Sequence, residues 1–277
     1  MKFLISNDDG VHAPGLLALY QALSTIGEVM VVAPDAEKSG SASALHISQP
    51  LYTHKLESGF VAVNGSPADG VYLALHQLYR NIRFDCVITG INSGANLGQD
   101  VLFSGTFGAA LTAQLFGVPA IATSLVGGTI KGDGHDKTSH YQMAANEIVK
   151  LLRETSILEE LKSLPYHVLN VNIPDVKSAK DTEGRKITSL GHSRIARPVH
   201  HVVDPRRRDA YWLSLQKCQY ESRAATLSGP SQSLVQLDKS TTSIEPVNHT
   251  LVTQCANTSS IHTDNQAVAA GYIAYRR

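Results

Sequence analysis

From Lys2 to about Pro174 the chain alternates short apolar runs with stretches of helical periodicity, and few folds accommodate that order. The runs "KFLIS", "EVMVVAP", "FDCVITG", "PAIATSL" and "YHVLNVNIP" have the length and apolar content of strands. Between the first two lies "PGLLALYQALSTIG", opened by Pro14 and closed by Gly27. In "SPADGVYLALHQLY", Ser66 stands in the capping position, with Pro67 in the first helical position and Asp69 three residues after the serine. "GTFGAALTAQLFG" reads as a helix of small residues that can lie close to a sheet, ended by Gly117. Residues 139–163 form one further helical stretch. The pattern predicts an α/β fold, a mostly parallel sheet with helices on both faces.

After about residue 175 the alternation stops. "GRKITSLGHSRIARPVHHVVDPRRRDAYWLSL" reads as antiparallel strands turning at Asp204-Pro205, an arm of the kind that packs on a neighbouring subunit. Residues 219–262 have Ser, Thr, Gln and Asn in abundance and no sustained period, which predicts a long loop or disorder, and "AVAAGYIAYRR" follows as a short strand. The expected division is a core over 1–175 and an arm over 176–277. Twenty-four basic and 24 acidic residues cancel, so no global field draws in a long nucleic acid or a membrane surface. Cys86, Cys218 and Cys255 lack CxxC spacing, which argues against a disulfide framework or a zinc knuckle. With no apolar run long enough for a signal peptide or a membrane span, the expected location is the cytoplasm.

In open parallel sheets, ligands bind beyond the carboxyl ends of the strands, and the unusual residues fall there. Asp8 and Asp9 follow the first strand, Ser39 the second, and Asn92 and Asn96 the strand ending at Gly90. Alone, Asp8-Asp9-Gly10 reads equally as a turn. Beside the other loops it reads as a metal site, because two adjacent carboxylates repel unless a cation or a shared proton offsets them. Asp8, Asp9, Ser39 and Asn92 offer hard oxygen donors, suited to Mg2+ or Mn2+ and poorly suited to zinc. Ser104, Gly105 and Thr106 open a helix, where free N–H groups receive a phosphate; by themselves they also fit an ordinary cap. A metal and an anion cradle on one edge imply hydrolysis of a phosphoryl substrate.

With these residues in view, the chain resembles the SurE (survival protein E) family of metal-dependent nucleotidases. The matching stretches are "ISNDDGVHAPGL", "VVAPDAEKSGSAS", "VNGSPADGVYLAL", "DCVITGINSGANLG", "FSGTFGAA", "GVPAIATS" and "RIARPVHHVVDPRRRDAYWL", spanning roughly residues 1–215. The resemblance implies a Rossmann-like core and an arm for assembly into a homodimer or homotetramer. It also implies one divalent metal ion per subunit and hydrolysis of nucleoside 5′- and 3′-monophosphates, with short polyphosphate as an additional substrate in some members. Carried over by motif, Asp8 and Asp9 are catalytic, and Asp8, Asp9, Ser39 and Asn92 hold the metal. Asn96, Ser104, Gly105 and Thr106 line the phosphate side, with Asn7 close by. The family's usual "SITPL"-type ending is missing here, "HTDNQAVAAGYIAYRR" follows a long polar insertion, and His46 stands where many relatives carry threonine.

Other candidates have plainer readings. His12 in the first loop fits a proton donor or an idle loop histidine, and Arg206, Arg207 and Arg208 fit a solvated turn. Tyr211 and Trp212 fit an interface better than a base-stacking site. The competing functional class is a nucleotide-binding or regulatory protein on the same fold, its turnover lost with the altered tail. A dinucleotide-dependent dehydrogenase is disfavoured, because acids occupy the place where glycines would cradle a pyrophosphate.

Overall fold

Strand β1 (Lys2–Ser6) lies inside a nine-stranded sheet, with β2 (Glu28–Pro34) on one side and β5 (Cys86–Ser93) on the other, both parallel to it. The computed structural model describes residues 1–127, 138–176, 178–192, 199–213 and 263–276. Outward from β2 come β4 (Val61–Val63), parallel, and β3 (Thr53–Lys55), antiparallel. Outward from β5 come β6 (Ala120–Leu125) and β7 (Val168–Ile173), both parallel. The full order is β3-β4-β2-β1-β5-β6-β7-β11-β8, where β11 is Ile273–Arg276 and β8 is Arg185–Ile187. The six parallel strands thus run outward from β1 in one direction and then, from β5, in the other. This reversal creates a crevice at the carboxyl ends of β1 and β5.

Alternate residues of each strand meet different helices, as a period of two requires. Phe3, Ile5 and Ile88 pack with α1 (Pro14–Leu23), α4 (Thr138–Glu154) and α5 (Ile157–Ser163). Leu4, Val32 and Val87 pack with α2 (Pro67–Leu73) and α3 (Gly105–Leu115). The sequence expectation of a mostly parallel sheet covered on both faces holds. The capping box at α2 forms as read: Ser66 Oγ accepts from Asp69 N at 3.0 Å, and Asp69 Oδ2 accepts from Ser66 N at 2.7 Å. Gly117 follows α3 with φ +74°. Residues 139–163, read as one helix, form two. Thr155 Oγ donates back to the Leu151 carbonyl at 2.7 Å and accepts from Ile157 N at 3.3 Å, a local alternative to the helical ladder.

The segment read as a terminal strand begins instead with α6 (Asp264–Ala269), opened by a capping box between Thr263 and Gln266. Gly271, at φ +82°, then turns the chain into β11. That strand pairs antiparallel with β7 and parallel with β8, so the core sheet extends beyond residue 175, through segments read from sequence as part of the arm. The chain divides into two units, Met1–Ser193 with His262–Arg277, and Arg194–Ile261. The described part of the second unit is an antiparallel hairpin of β9 (Val199–Val203) and β10 (Asp209–Leu213), turning at Asp204-Pro205 as read. The polar stretch over 219–262 lies outside the described residues. Among those described, no helix is long and apolar enough to cross a membrane.

Candidate active site at the reversal of strand order

The first loop is shaped by its own polar groups. Asn7 Nδ2 donates to the Gly10 carbonyl at 3.0 Å, and Gly10 sits at φ +105°, where a side chain would be strained. Lys38 N donates to the Asp8 carbonyl at 2.7 Å, and Val11 N to the Pro34 carbonyl at 2.8 Å, which ties this loop to the one after β2. Asp8 is 3% exposed and Asp9 is half-buried. On the other side of the crevice, the register between β5 and β6 shifts between Thr89 and Asn92, an irregularity that re-aims the residues after it.

Helix α3 completes the cluster. Ser104 caps it, accepting from Phe107 N at 3.0 Å, and leaves the first turn facing Asp8. Thr106, fully buried, donates its hydroxyl to Asp8 Oδ1 at 2.5 Å and lies 3.4 Å from Asn92 Oδ1. A Cβ on Gly105 would stand 2.9 Å from Asp8 Cβ and 2.5 Å from Ser41 Oγ, so only glycine admits both loops here. Asn92 Nδ2 donates to the Gly94 carbonyl at 2.8 Å, which fixes the amide and leaves Oδ1 toward Thr106. Asp9 Oδ2 accepts from Ser93 N at 3.0 Å.

Burial pushes the Asp8 carboxyl above the usual carboxylate range, against hydrogen bonds from the Thr106 hydroxyl and the backbone N–H groups of Asp8, Thr106 and Gly105. Burial also pushes Asp9 up, to about 6, with the Asp8 charge adding and Glu37 contributing in the same sense. Both neighbouring charges acting on Asp9 are negative. Asn7 Oδ1 and Ser41 Oγ are buried with no hydrogen-bond partner among the described residues. Crowded acids, an oriented amide oxygen and orphaned polar atoms fit a hard divalent cation, whose charge would offset the repulsion. Among the described residues no three His, Cys, Asp or Glu groups cluster, so any such ion depends on neutral oxygens beside the two acids.

The sequence-derived residues do not all converge equally. Asp8, Asp9, Asn92, Gly105 and Thr106 meet in one cluster. Ser39 is exposed, and its hydroxyl donates to Glu37 Oε1 at 2.9 Å. Asn96 is buried and committed to the sheet: its Nδ2 donates to Ser124 Oγ at 2.8 Å, and its carbonyl accepts from Asn170 and Asn172 at 2.9 and 3.0 Å. Sequence reasoning passed over these two β7 asparagines because they look like polar interruptions in an apolar strand. It also passed over Asp264, whose carboxylate accepts from Gly98 N at 2.9 Å and Gly191 N at 2.8 Å and so anchors the segment leading from Asn96 to α3. Their signal was a polar residue inside a patterned element.

Comparison with known proteins bears on the family and the fold. The family model described as Survival protein SurE matches residues 3–197. A 5′-nucleotidase SurE of Psychrobacter cryohalolentis is 64% identical over 273 residues, covering 99% of this chain and 91% of that protein. A 5′-nucleotidase SurE of Acinetobacter baylyi is 44% identical over 216 residues, covering 78% of this chain and 80% of that one. The crystal structure of a SurE protein from Aquifex aeolicus shares the fold with a TM-score of 0.70 at 29% identity, covering 100% of this chain and 92% of that chain. A match over most of the length, to family model, relatives and solved structure alike, shows that the chain belongs to the SurE family.

Proposed function

We propose that the protein is a divalent-metal-dependent phosphomonoesterase that hydrolyses nucleoside 5′- and 3′-monophosphates to nucleoside and phosphate, with short-chain polyphosphate as a further substrate. The nucleotidase names of its relatives support the substrate class. The observation that carries the reading is the buried contact of Asp8 with Thr106 and the first turn of α3, beside Asp9 and Asn92. Asp8, Asp9, Ser39 and Asn92 would hold one Mg2+ or Mn2+ per subunit. Bound there, such an ion supplies positive charge to phosphoryl oxygens and makes water a better nucleophile.

The chain's own groups do the positioning. Asp8 and Asp9 are the catalytic acids, with Thr106 fixing the Asp8 carboxylate by its hydroxyl. Ser104 and Gly105 present the helix N-terminus to the phosphate, with Asn7 beside them and Asn96 setting the loop that leads there. The β9–β10 hairpin, with Tyr211 and Trp212 exposed, is proposed to pair subunits into a homodimer or homotetramer in the cytoplasm. Purified protein incubated with manganese and a panel of nucleoside monophosphates should release free phosphate, and chelation should silence it. Nucleotide binding in the presence of metal with no phosphate released would overturn the enzymatic reading.

A further inference from the structure

Away from the acidic cluster, a cavity of about 350 Å³ opens between the loop after β2 and α2. Pockets that bind small molecules usually enclose ~300–1,000 Å³ and are mostly apolar with a few placed polar groups. Leu45, Leu51, Tyr72 and Leu73 line this one, and Ile47 stands at its edge 91% exposed. The polar group is His46, whose ring is held by Asp69: the carboxylate accepts from His46 N at 2.9 Å and meets ring Nδ1 at 2.6 Å.

Asp69 also accepts from Ser66 N, and although burial pushes its carboxyl up, the hydrogen bonds from His46 and Ser66 outweigh it and hold the group below its ordinary range. An ionised carboxylate only accepts, so Nδ1 carries the proton. In the neutral ring that leaves Nε2 as an acceptor.

The loop that carries His46 runs from beside the acidic cluster to this cavity. Ser41 lies against Gly105, and a Cβ on Gly108 would meet the Ala42 carbonyl oxygen at 2.1 Å, so this loop lies directly on α3. Ala44 N donates to the Ser41 carbonyl at 3.0 Å, a tight turn, and Ser66 Oγ donates to the Ala44 carbonyl at 2.6 Å. His46 therefore lies within about 14 Å of Ser41, Cα to Cα, a span that an extended nucleoside monophosphate approaches from phosphate to base edge.

We propose that this cavity is a nucleobase subsite in which His46 Nε2 accepts a hydrogen bond from an exocyclic amine, so that the protein favours nucleotides of amino bases such as adenine and cytosine. The proposal rests on the nucleotidase reading above and deepens it. Adenosine 5′-monophosphate and purine riboside 5′-monophosphate differ only by the amine, and ribose 5-phosphate, with no base, reports the phosphatase chemistry alone.

Wild type should show kcat/KM on the order of tenfold higher for the amine-bearing nucleotide, as one hydrogen bond allows, with the difference in KM. His46→Phe, which keeps a ring but removes the acceptor, and His46→Ala should each bring that ratio close to one. Release of phosphate from ribose 5-phosphate with a wild-type ratio near one, or a ratio that survives both substitutions, overturns the subsite and leaves the phosphatase reading standing. If no substrate is turned over, the nucleotidase reading falls instead. The subsite is then decided by the nitrogen-15 resonance of His46 Nε2: a shift with adenosine but not with purine riboside supports it, and an equal response to both overturns it.

Discussion

Two neighbouring aspartates raised by burial have a measurable cost to the protein that carries them without a cation. A folded carboxyl with a raised pKa binds more protons than the unfolded one, so its contribution destabilises as pH rises through the interval between the two values. For Asp9 that interval runs from 3.8 to about 6. Metal-free protein should therefore gain stability from this pair as pH is lowered from 7 toward 5. Asp69 has the opposite sign: its lowered pKa stabilises above the ordinary carboxylate range, and that contribution is lost as pH falls through the folded value. Asp9→Asn should raise the stability of metal-free protein at pH 7 by about 2 kcal/mol, since each tenfold change in proton affinity is worth ~1.4 kcal/mol and solvent at this half-buried group screens part of it. The same change should flatten the rise between pH 7 and 5. Phosphate release should fall by orders of magnitude in that variant. Thermal melts across pH, with and without manganese, check the stability changes, and a phosphate assay checks the rate. Thr106→Val removes the hydroxyl bonded to Asp8 while Ser104 keeps the cap, so the melting temperature should change little and the rate should drop by ~10²–10³ if that hydroxyl acts on the transition state. A lowered melting temperature with unchanged kcat would show that the hydroxyl only satisfies the buried Asp8 carboxylate.

At the scale of elements, α3 is the piece whose composition decides most. Its glycines at 105 and 108 let Asp8, the Ser41 hydroxyl and the Ala42–Ser43 backbone approach, and the obstruction a side chain would meet at Gly108 is backbone. Gly108→Ala should cost about 1–3 kcal/mol through forced displacement and lower activity, because the displaced loop also flanks the acidic cluster. Gly117→Ala offers the contrast: its φ is +74° with open space around it, so stability should fall through backbone strain alone and kcat should hold. Unfolding curves and phosphate assays on the two variants separate the effects. Much of this level was legible in sequence, because Pro67, Ser66, Asp69 and Gly117 act within their own helices. The break after α4 was hidden, since it depends on one hydroxyl choosing a carbonyl four residues back. Likewise Asp8 and Asp9 stood out by adjacency, whereas the exposed position of Ser39 comes from loop geometry that has no period to read.

At the scale of the whole molecule, residues distant in sequence hold the site together. Asp264, 1% exposed, binds the N–H groups of Gly98 and Gly191 and opens the short helix after which Gly271 turns the chain into β11. Asp264→Ala would leave two buried donors unsatisfied, at about 1–3 kcal/mol each, so the melting temperature should fall clearly. Amide exchange at Gly98 should quicken, and activity should decline with it; slow exchange there in the variant would refute the anchoring role. No local pattern announces this partnership, nor the insertion of β11 between β7 and β8, because a four-residue strand carries too little periodicity to name its neighbours.

The position of β11 also sets a timetable for synthesis. Roughly a hundred residues separate Ile173, at the end of β7, from Ile273, where its partner strand begins. At ~5–20 residues per second, a ribosome needs several seconds to cross that gap. Throughout it, one edge of β7 has no strand beside it, although every β7 residue is buried in the finished sheet. A nascent chain of this protein therefore passes through a long interval with an open, apolar sheet edge and an untethered Gly98, the interval in which chaperone protection would matter most.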